Sequence, residues 1–151
     1  LKPMVREVLF TLSNRLRRDE HEVHLDITEG IQMDSFPGPL GQVITNLVMN
    51  AVIHGFENRR GGSIVIRGRR LDGNRVHLQL LDNGTGIAEE HLSRVFEPFF
   101  TTKMGQGGSG LGLHITYNIV TGVLGGTIVV ESAVGKGTRF DITIPVVPKA
   151  H

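Results

Sequence analysis

GSIVIRGRRLDGNRVHLQLLDNGTGI, residues 62–87, decides how the rest of the chain is read. Its two ends, GSIVIRGRR and RVHLQLLD, read as strands, and Leu71-Asp72-Gly73-Asn74 between them carries the Asp-Gly signal of a tight hairpin. Neighbouring strands joined in this way pair antiparallel. The second strand runs out on Asp82-Asn83-Gly84-Thr85-Gly86-Ile87. A tight turn needs one glycine. Two of them closing on a carboxylate imply that something comes very near the backbone there, and a flat or bulky ligand is the expectation.

Working outward, residues 4–18 place Val5, Val8, Leu9, Leu12 and Leu16 on one face at helical spacing. HEVHLDI alternates as a short strand. Pro39 opens a second helix, LGQVITNLVMNAVIHGF, as proline can at a first turn. AEEHLSRVF reads as a short helix, and LGLHITYNIVTGVL as another after a glycine-rich stretch. GTIVVES and TRFDITIPV close the chain as a strand pair around Gly135-Lys136-Gly137. Hairpins and amphipathic helices in this order predict a two-layer α/β sandwich, with a mixed, mostly antiparallel sheet covered by helices on one face. Repeating strand-helix-strand crossovers are missing, so the fold is not doubly wound.

A length of 151 residues suits one domain with its own core, and all of it is expected to be that domain. The net charge of +1 gives no basic field for nucleic acid. With no cysteine there is neither a disulfide scaffold nor a thiolate metal site. No apolar run approaches the ~20 residues that span a bilayer. The twenty glycines crowd towards residues 105–137, which marks a local backbone requirement.

Four stretches carry chemistry. Asn46 and Asn50 lie four apart on the second helix and share a face, which His54 continues. Amides so placed either hydrogen-bond neighbouring loops or act as ligands, and an amide oxygen suits Mg²⁺. Asp82 either caps its turn or accepts the exocyclic amine of adenine from an apolar slot. A guanine carbonyl would meet that carboxylate with no proton between them, at a cost of ~1–3 kcal/mol. In GQGGSGLGLHI the glycines Gly108, Gly110 and Gly112 alternate into a helix start, where bare N–H groups form an anion site. In FEPFFTTK the residues Phe96, Phe99 and Phe100 are core or the anchor of a lid. Thr101, Thr102 and Lys103 then face phosphate, Lys103 as a point charge, with a solvated surface position the alternative for Lys103.

Together these stretches resemble the ATP-binding domain of bacterial sensor histidine kinases, within the superfamily that includes gyrase, the Hsp90 chaperones and MutL. NLVMNAVIHGF looks like the N box, DNGTGI the first glycine box, FEPFFTTK the F box and GGSGLGLHI the second glycine box. Each is modest alone; four in order are highly specific. The resemblance implies the Bergerat fold, ATP and Mg²⁺ as cofactors, and Asn50 as the metal ligand. It implies a catalytic set of Asn46, Asn50 and Lys103. Asp82 would bind the adenine amine, with Gly86 and Thr138 helping, while Gly84 permits the turn beneath the base. His54, Ile87, Phe99, Thr101, Thr102 and Lys103 would border the nucleotide. Gly108, Ser109, Gly110, Leu111, Gly112 and Leu113 would cradle phosphates, and residues 101–108 would form the ATP lid.

Two departures stand out. Many relatives carry Lys or Arg three residues after the magnesium asparagine, where this chain has Ile53 followed by His54. The gyrase and Hsp90 branch places a water-activating glutamate where this chain has Asn46, and an amide is no useful base near neutral pH. Slow hydrolysis and transfer of the γ-phosphoryl group to a protein histidine are therefore expected. A gyrase-type ATPase and a non-catalytic nucleotide sensor are the alternatives. None of the seven histidines heads a helix with an acidic follower. The acceptor is expected on a helical hairpin preceding Leu1, in the same or a sister chain of a cytoplasmic domain. A response-regulator receiver would be the next acceptor.

Overall fold

The computed structural model describes residues 1–28, 30–31, 37–56, 60–71, 74–98 and 112–146. Helix α1 (Lys2–Thr11) and helix α2 (Ser13–Arg18) lead into strand β1 (Glu22–Ile27). Helix α3 (Pro37–Asn50) crosses to strand β2 (Ser63–Arg70), which turns into β3 (Arg75–Asp82). The short helix α4 (Glu89–Leu92) follows, then α5 (Gly112–Asn118), β4 (Thr127–Ser132) and β5 (Thr138–Pro145). The strands form one sheet in the order β1-β2-β3-β5-β4. Only β1 and β2 run parallel, joined by the α3 crossover; the other three pairings are antiparallel. The expected mixed sheet is the one observed.

Three elements differ from the sequence reading. The helix expected over residues 4–18 is broken at Leu12 (φ −97°, ψ 1°). There the Thr11 hydroxyl donates back to the Val8 carbonyl at 2.7 Å, and Leu12 N–H bonds the Leu9 carbonyl at 3.1 Å, tightening the last turn. Helix α3 starts two residues before Pro39, at Pro37. Both prolines sit in the first turn, where an N–H has no partner within the helix. The helices α3 and α5 each end in a π-helical turn, Ala51–Gly55 and Ile119–Val123, closed by Phe56 N–H to Ala51 and Leu124 N–H to Ile119, both 2.8 Å. The hydrophobic pattern does not distinguish such a widened turn from α-helix.

Strict alternation sorts each central strand into two faces. On β3, Val76, Leu78, Leu80 and Asp82 point into the core, and on β5 Thr138, Phe140, Ile142 and Ile144 do so. They meet Val43, Leu47, Val48 and Val52 of α3 and its π turn, with Val120 and Leu124 beyond α5. Phe140 is the largest fully buried side chain among the described residues, and Phe96 meets it edge-on at 6.4 Å. The opposite face of the sheet is polar. Asp141 there accepts hydrogen bonds from Gln79 Nε2 and Arg139 Nε, each at 2.9 Å, with His77 Nε2 also at 2.9 Å. Burial alone would raise the Asp141 carboxyl, but those three partners outweigh it and hold the group below its ordinary value of 3.8.

Because Phe140 ties both core-facing strands to Phe96, Phe140→Ala should cost about 3–5 kcal/mol, read as a lowered midpoint in urea unfolding. A loss under 1 kcal/mol would show that the ring is not packed as described.

Candidate functional site

Asp82 occupies the last core-facing position of β3, where the alternation would otherwise place an apolar residue. It is 8% exposed and sits directly across the ladder from Thr138, itself buried. Gly84 N–H donates to Asp82 Oδ1 at 2.9 Å. No Lys or Arg pairs with this carboxylate among the described residues. Burial therefore dominates and pushes the Asp82 carboxyl up, with the N–H groups of Gly84 and Thr138 pulling the other way. Such a group keeps acceptor capacity to spare in a poorly solvated corner. An open pocket of about 580 Å³ borders it, lined also by Ser132, Thr138 and the charged Glu131, Lys136 and Arg139, while Asn50 and His54 are not among its lining residues.

The glycines of DNGTGI are explained differently from the expectation. A Cβ on Gly84 would lie 2.1 Å from the Gly55 carbonyl oxygen, and a Cβ on Gly86 would lie 2.0 Å from the Ala133 carbonyl oxygen. What comes close to this backbone is the protein's own chain: the π turn on one side and the β4–β5 turn on the other. Gly86 also needs its left-handed φ of +81°. Thr85 N–H bonds the Gly55 carbonyl at 2.7 Å, and Gly135 N–H bonds the Thr85 carbonyl at 2.7 Å. Gly55 itself lies against the carboxylate, with a Cβ there placed 3.2 Å from the Asp82 oxygens. The helix bearing Asn46, Asn50 and His54 thus ends against Asp82.

Asn46 and Asn50 share a helix face yet differ in their surroundings. Asn46 Nδ2 donates to the Gly112 carbonyl at 3.3 Å and to Thr116 Oγ1 at 3.2 Å, while Gln42 Nε2 donates to Asn46 Oδ1 at 2.6 Å. Its amide is a bridge between α3 and the start of α5, the structural alternative among the two readings of the amide row. The half-buried Asn50 side chain makes no hydrogen bond to another described residue. Its oxygen is a neutral, hard donor, the type that suits a cation taking few protein ligands and completing its shell with phosphate and water, as Mg²⁺ does. No cluster of three or more His, Asp or Glu among the described residues offers a fuller metal cage.

His54 lies half-buried in the π turn beside Gly55. Ile87 N–H bonds Ser132 Oγ at 2.7 Å, and Leu113 packs on the core. A Cβ on Gly112 would meet open space. Phe96 stacks near Tyr117 at 5.3 Å as well as Phe140, and its carbonyl oxygen lies 3.1 Å from His114 Nδ1. The expected roles of Phe99, Phe100, Thr101, Thr102, Lys103, Gly108, Ser109, Gly110 and Leu111 lie outside the described residues. Gly55 and Ser132 were missed by sequence reasoning. Gly55 reads as part of the second helix, and the contact of Ser132 with Ile87 joins residues 45 apart in the chain.

Two outcomes follow from this geometry. Gly84→Ala should lose about 1–3 kcal/mol in urea unfolding, since the Gly55 backbone has to give way. Asp82 has a folded pKa above its unfolded one, so its stabilising contribution is complete at low pH and is lost as pH rises through the raised value. Nucleotide-free Asp82→Asn should therefore melt above wild type at pH 7, and the gap should close as pH falls below 3.8. A variant that melts below wild type at pH 7 would show that the buried charge is not a cost.

A family model described as histidine kinase-, DNA gyrase B-, and HSP90-like ATPase matches residues 37–148. Sporulation kinase E of Bacillus subtilis is 36% identical over 144 residues, 95% of this chain and 19% of the relative. The chain thus spans about a fifth of that curated relative's length. A nucleotide-free catalytic domain of the histidine kinase ThkA superposes with a TM-score of 0.84 at 32% identity, covering 98% of this chain and 93% of the other. ThkA in complex with the response regulator TrrA matches at 27% identity and a TM-score of 0.79, over all of this chain and 42% of the other. With the fold of a histidine-kinase catalytic domain and a family match over most of its length, the chain belongs to the histidine kinase-, DNA gyrase B- and HSP90-like ATPases.

Proposed function

We propose that this domain binds Mg-ATP and serves as the catalytic half of a sensor histidine kinase. The nucleotide, when bound, supplies the γ-phosphoryl group for a histidine on a separate helical hairpin, from which a receiver aspartate of a response regulator takes it. The observation that carries this reading is Asp82: a buried carboxylate with no cationic partner among the described residues, pressed against the end of the helix that bears Asn50. Asp82 accepts the adenine amine, with Thr138 beside it and the Gly86 turn holding the corner. Asn50 holds Mg²⁺. His54 and Leu113 border the nucleotide, and the stretch carrying Lys103 and Gly108–Leu111 meets its phosphates.

Asn46 favours kinase over ATPase. Both of its amide protons are committed to Gly112 and Thr116, and its oxygen already accepts from Gln42. It positions the start of α5 and activates no water. Family membership and the ThkA complex with a response regulator support the partner side of the proposal.

Isothermal calorimetry tests the site. With Mg²⁺, ADP should bind at least ~10-fold more tightly than GDP, the equivalent of one unmade buried hydrogen bond. Asn50→Ala should abolish the gain in affinity that Mg²⁺ confers while leaving metal-free binding unchanged. Equal binding of the two nucleotides removes the assignment of Asp82, and an intact Mg²⁺ effect removes that of Asn50. Incubation with ATP and a kinase acceptor hairpin should label the hairpin histidine, with little phosphate released to water.

A further inference from the structure

Ser132 ends β4 and lies opposite Thr138 in the β4–β5 ladder. Its hydroxyl has three polar neighbours. Ile87 N–H donates to Ser132 Oγ at 2.7 Å. Ser132 Oγ donates to the Gly137 carbonyl at 2.7 Å. Thr138 Oγ1 lies 3.0 Å away. A serine hydroxyl has one proton and two lone pairs. An amide N–H only donates and a carbonyl only accepts, so those two contacts use the proton and one lone pair. What remains for Thr138 is a lone pair, and Thr138 must be the donor.

The consequence falls on Asp82. Thr138 and Asp82 face each other across β3 and β5, both on the core side and both lining the same cavity. With its proton committed to Ser132, the Thr138 hydroxyl offers only lone pairs to the space beside Asp82. An ionised carboxylate offers only lone pairs as well. Two adjacent buried side chains then form a corner that accepts hydrogen bonds and donates none.

We propose that Ser132 is a specificity-determining positioning residue, which fixes the direction of the Thr138 hydroxyl so that the Asp82 corner takes an amino-substituted purine and rejects one with a carbonyl at C6. This rests on the reading of Asp82 as the base-binding group. In Ser132→Ala the Thr138 proton is released and can turn towards the carboxylate or the ligand. The corner then gains a donor that a C6 carbonyl can use.

The test compares ADP with inosine diphosphate, each with Mg²⁺, by calorimetry on this chain. Inosine carries a carbonyl and a protonated N1 where adenine has its amine and a bare nitrogen. Wild type should prefer ADP, and Ser132→Ala should narrow the ADP-to-IDP ratio by about tenfold. Ser132→Thr keeps the hydroxyl and should restore the ratio. Thr138→Val leaves the bonds from Ser132 to Ile87 and Gly137 in place and should narrow the ratio similarly, with Ser132→Ala/Thr138→Val no worse than Thr138→Val alone. A merely structural role for Ser132 would weaken both nucleotides equally and leave the ratio intact, which overturns the proposal. An unchanged ratio in Thr138→Val overturns it too, even should Ser132→Ala fail to fold. A wild type without preference removes the Asp82 reading and this inference with it, whereas an unchanged ratio in the variants alone leaves that reading standing.

Discussion

A carboxylate on the core face of a central strand is the constraint on which this site depends. The alternation of β3 leaves Asp82 no choice of side: Val76, Leu78 and Leu80 point inward, so Asp82 does too. Burial without a cationic partner among the described residues makes its charge costly. The surrounding chain limits that cost with dipoles, the Gly84 N–H first among them. Neutralising it with a salt bridge would make the corner more stable and, on the proposed reading, useless for accepting a hydrogen bond from a ligand. This is the familiar opposition between stability and function, placed on one residue.

The rest of the architecture brings backbone up to that carboxylate. The π turn after α3 sets Gly55 against it, and the β4–β5 turn sets Gly137 behind it, where a Cβ would lie 2.0 Å from the Asp82 carbonyl oxygen. Between them the 82–87 loop is held by hydrogen bonds from both sides. The purine end and the metal end of the proposed site therefore share one rigid support. Across the sheet, the Asp141 cluster shows the other treatment, of a half-buried carboxylate: hydrogen bonds from neutral and charged donors satisfy it and lower its pKa. One acid serves the fold, and the other is left available.

Much of this was legible in the residues. Hairpin signals and period-two patterns located four of the five strands as antiparallel partners, and the helical stripes placed one layer over one face. The order of four short motifs identified the family. Three things were not legible, each for a physical reason. The break at Leu12 depends on a threonine hydroxyl turning back on its own helix, which periodicity does not register. The glycines of DNGTGI announce close approach but not by what; the approaching atoms are carbonyls of Gly55 and Ala133, distant in sequence. Ser132 looks like any polar residue before a glycine turn, and its use depends on three partners brought together only by folding.

The widened turn at Ala51–Gly55 has one more consequence. It contains one residue more per closed ring than an α-helix does. Deleting that residue would regularise the helix, a change that propensity alone would favour. It would also swing all that follows by about 100° around the axis. The Gly55 carbonyl would leave its seat under Gly84 and its hydrogen bond to Thr85. Chain length here is thus set by the loop that the helix end must meet, and indels in this turn should be tolerated far less than in the surface connections on either side.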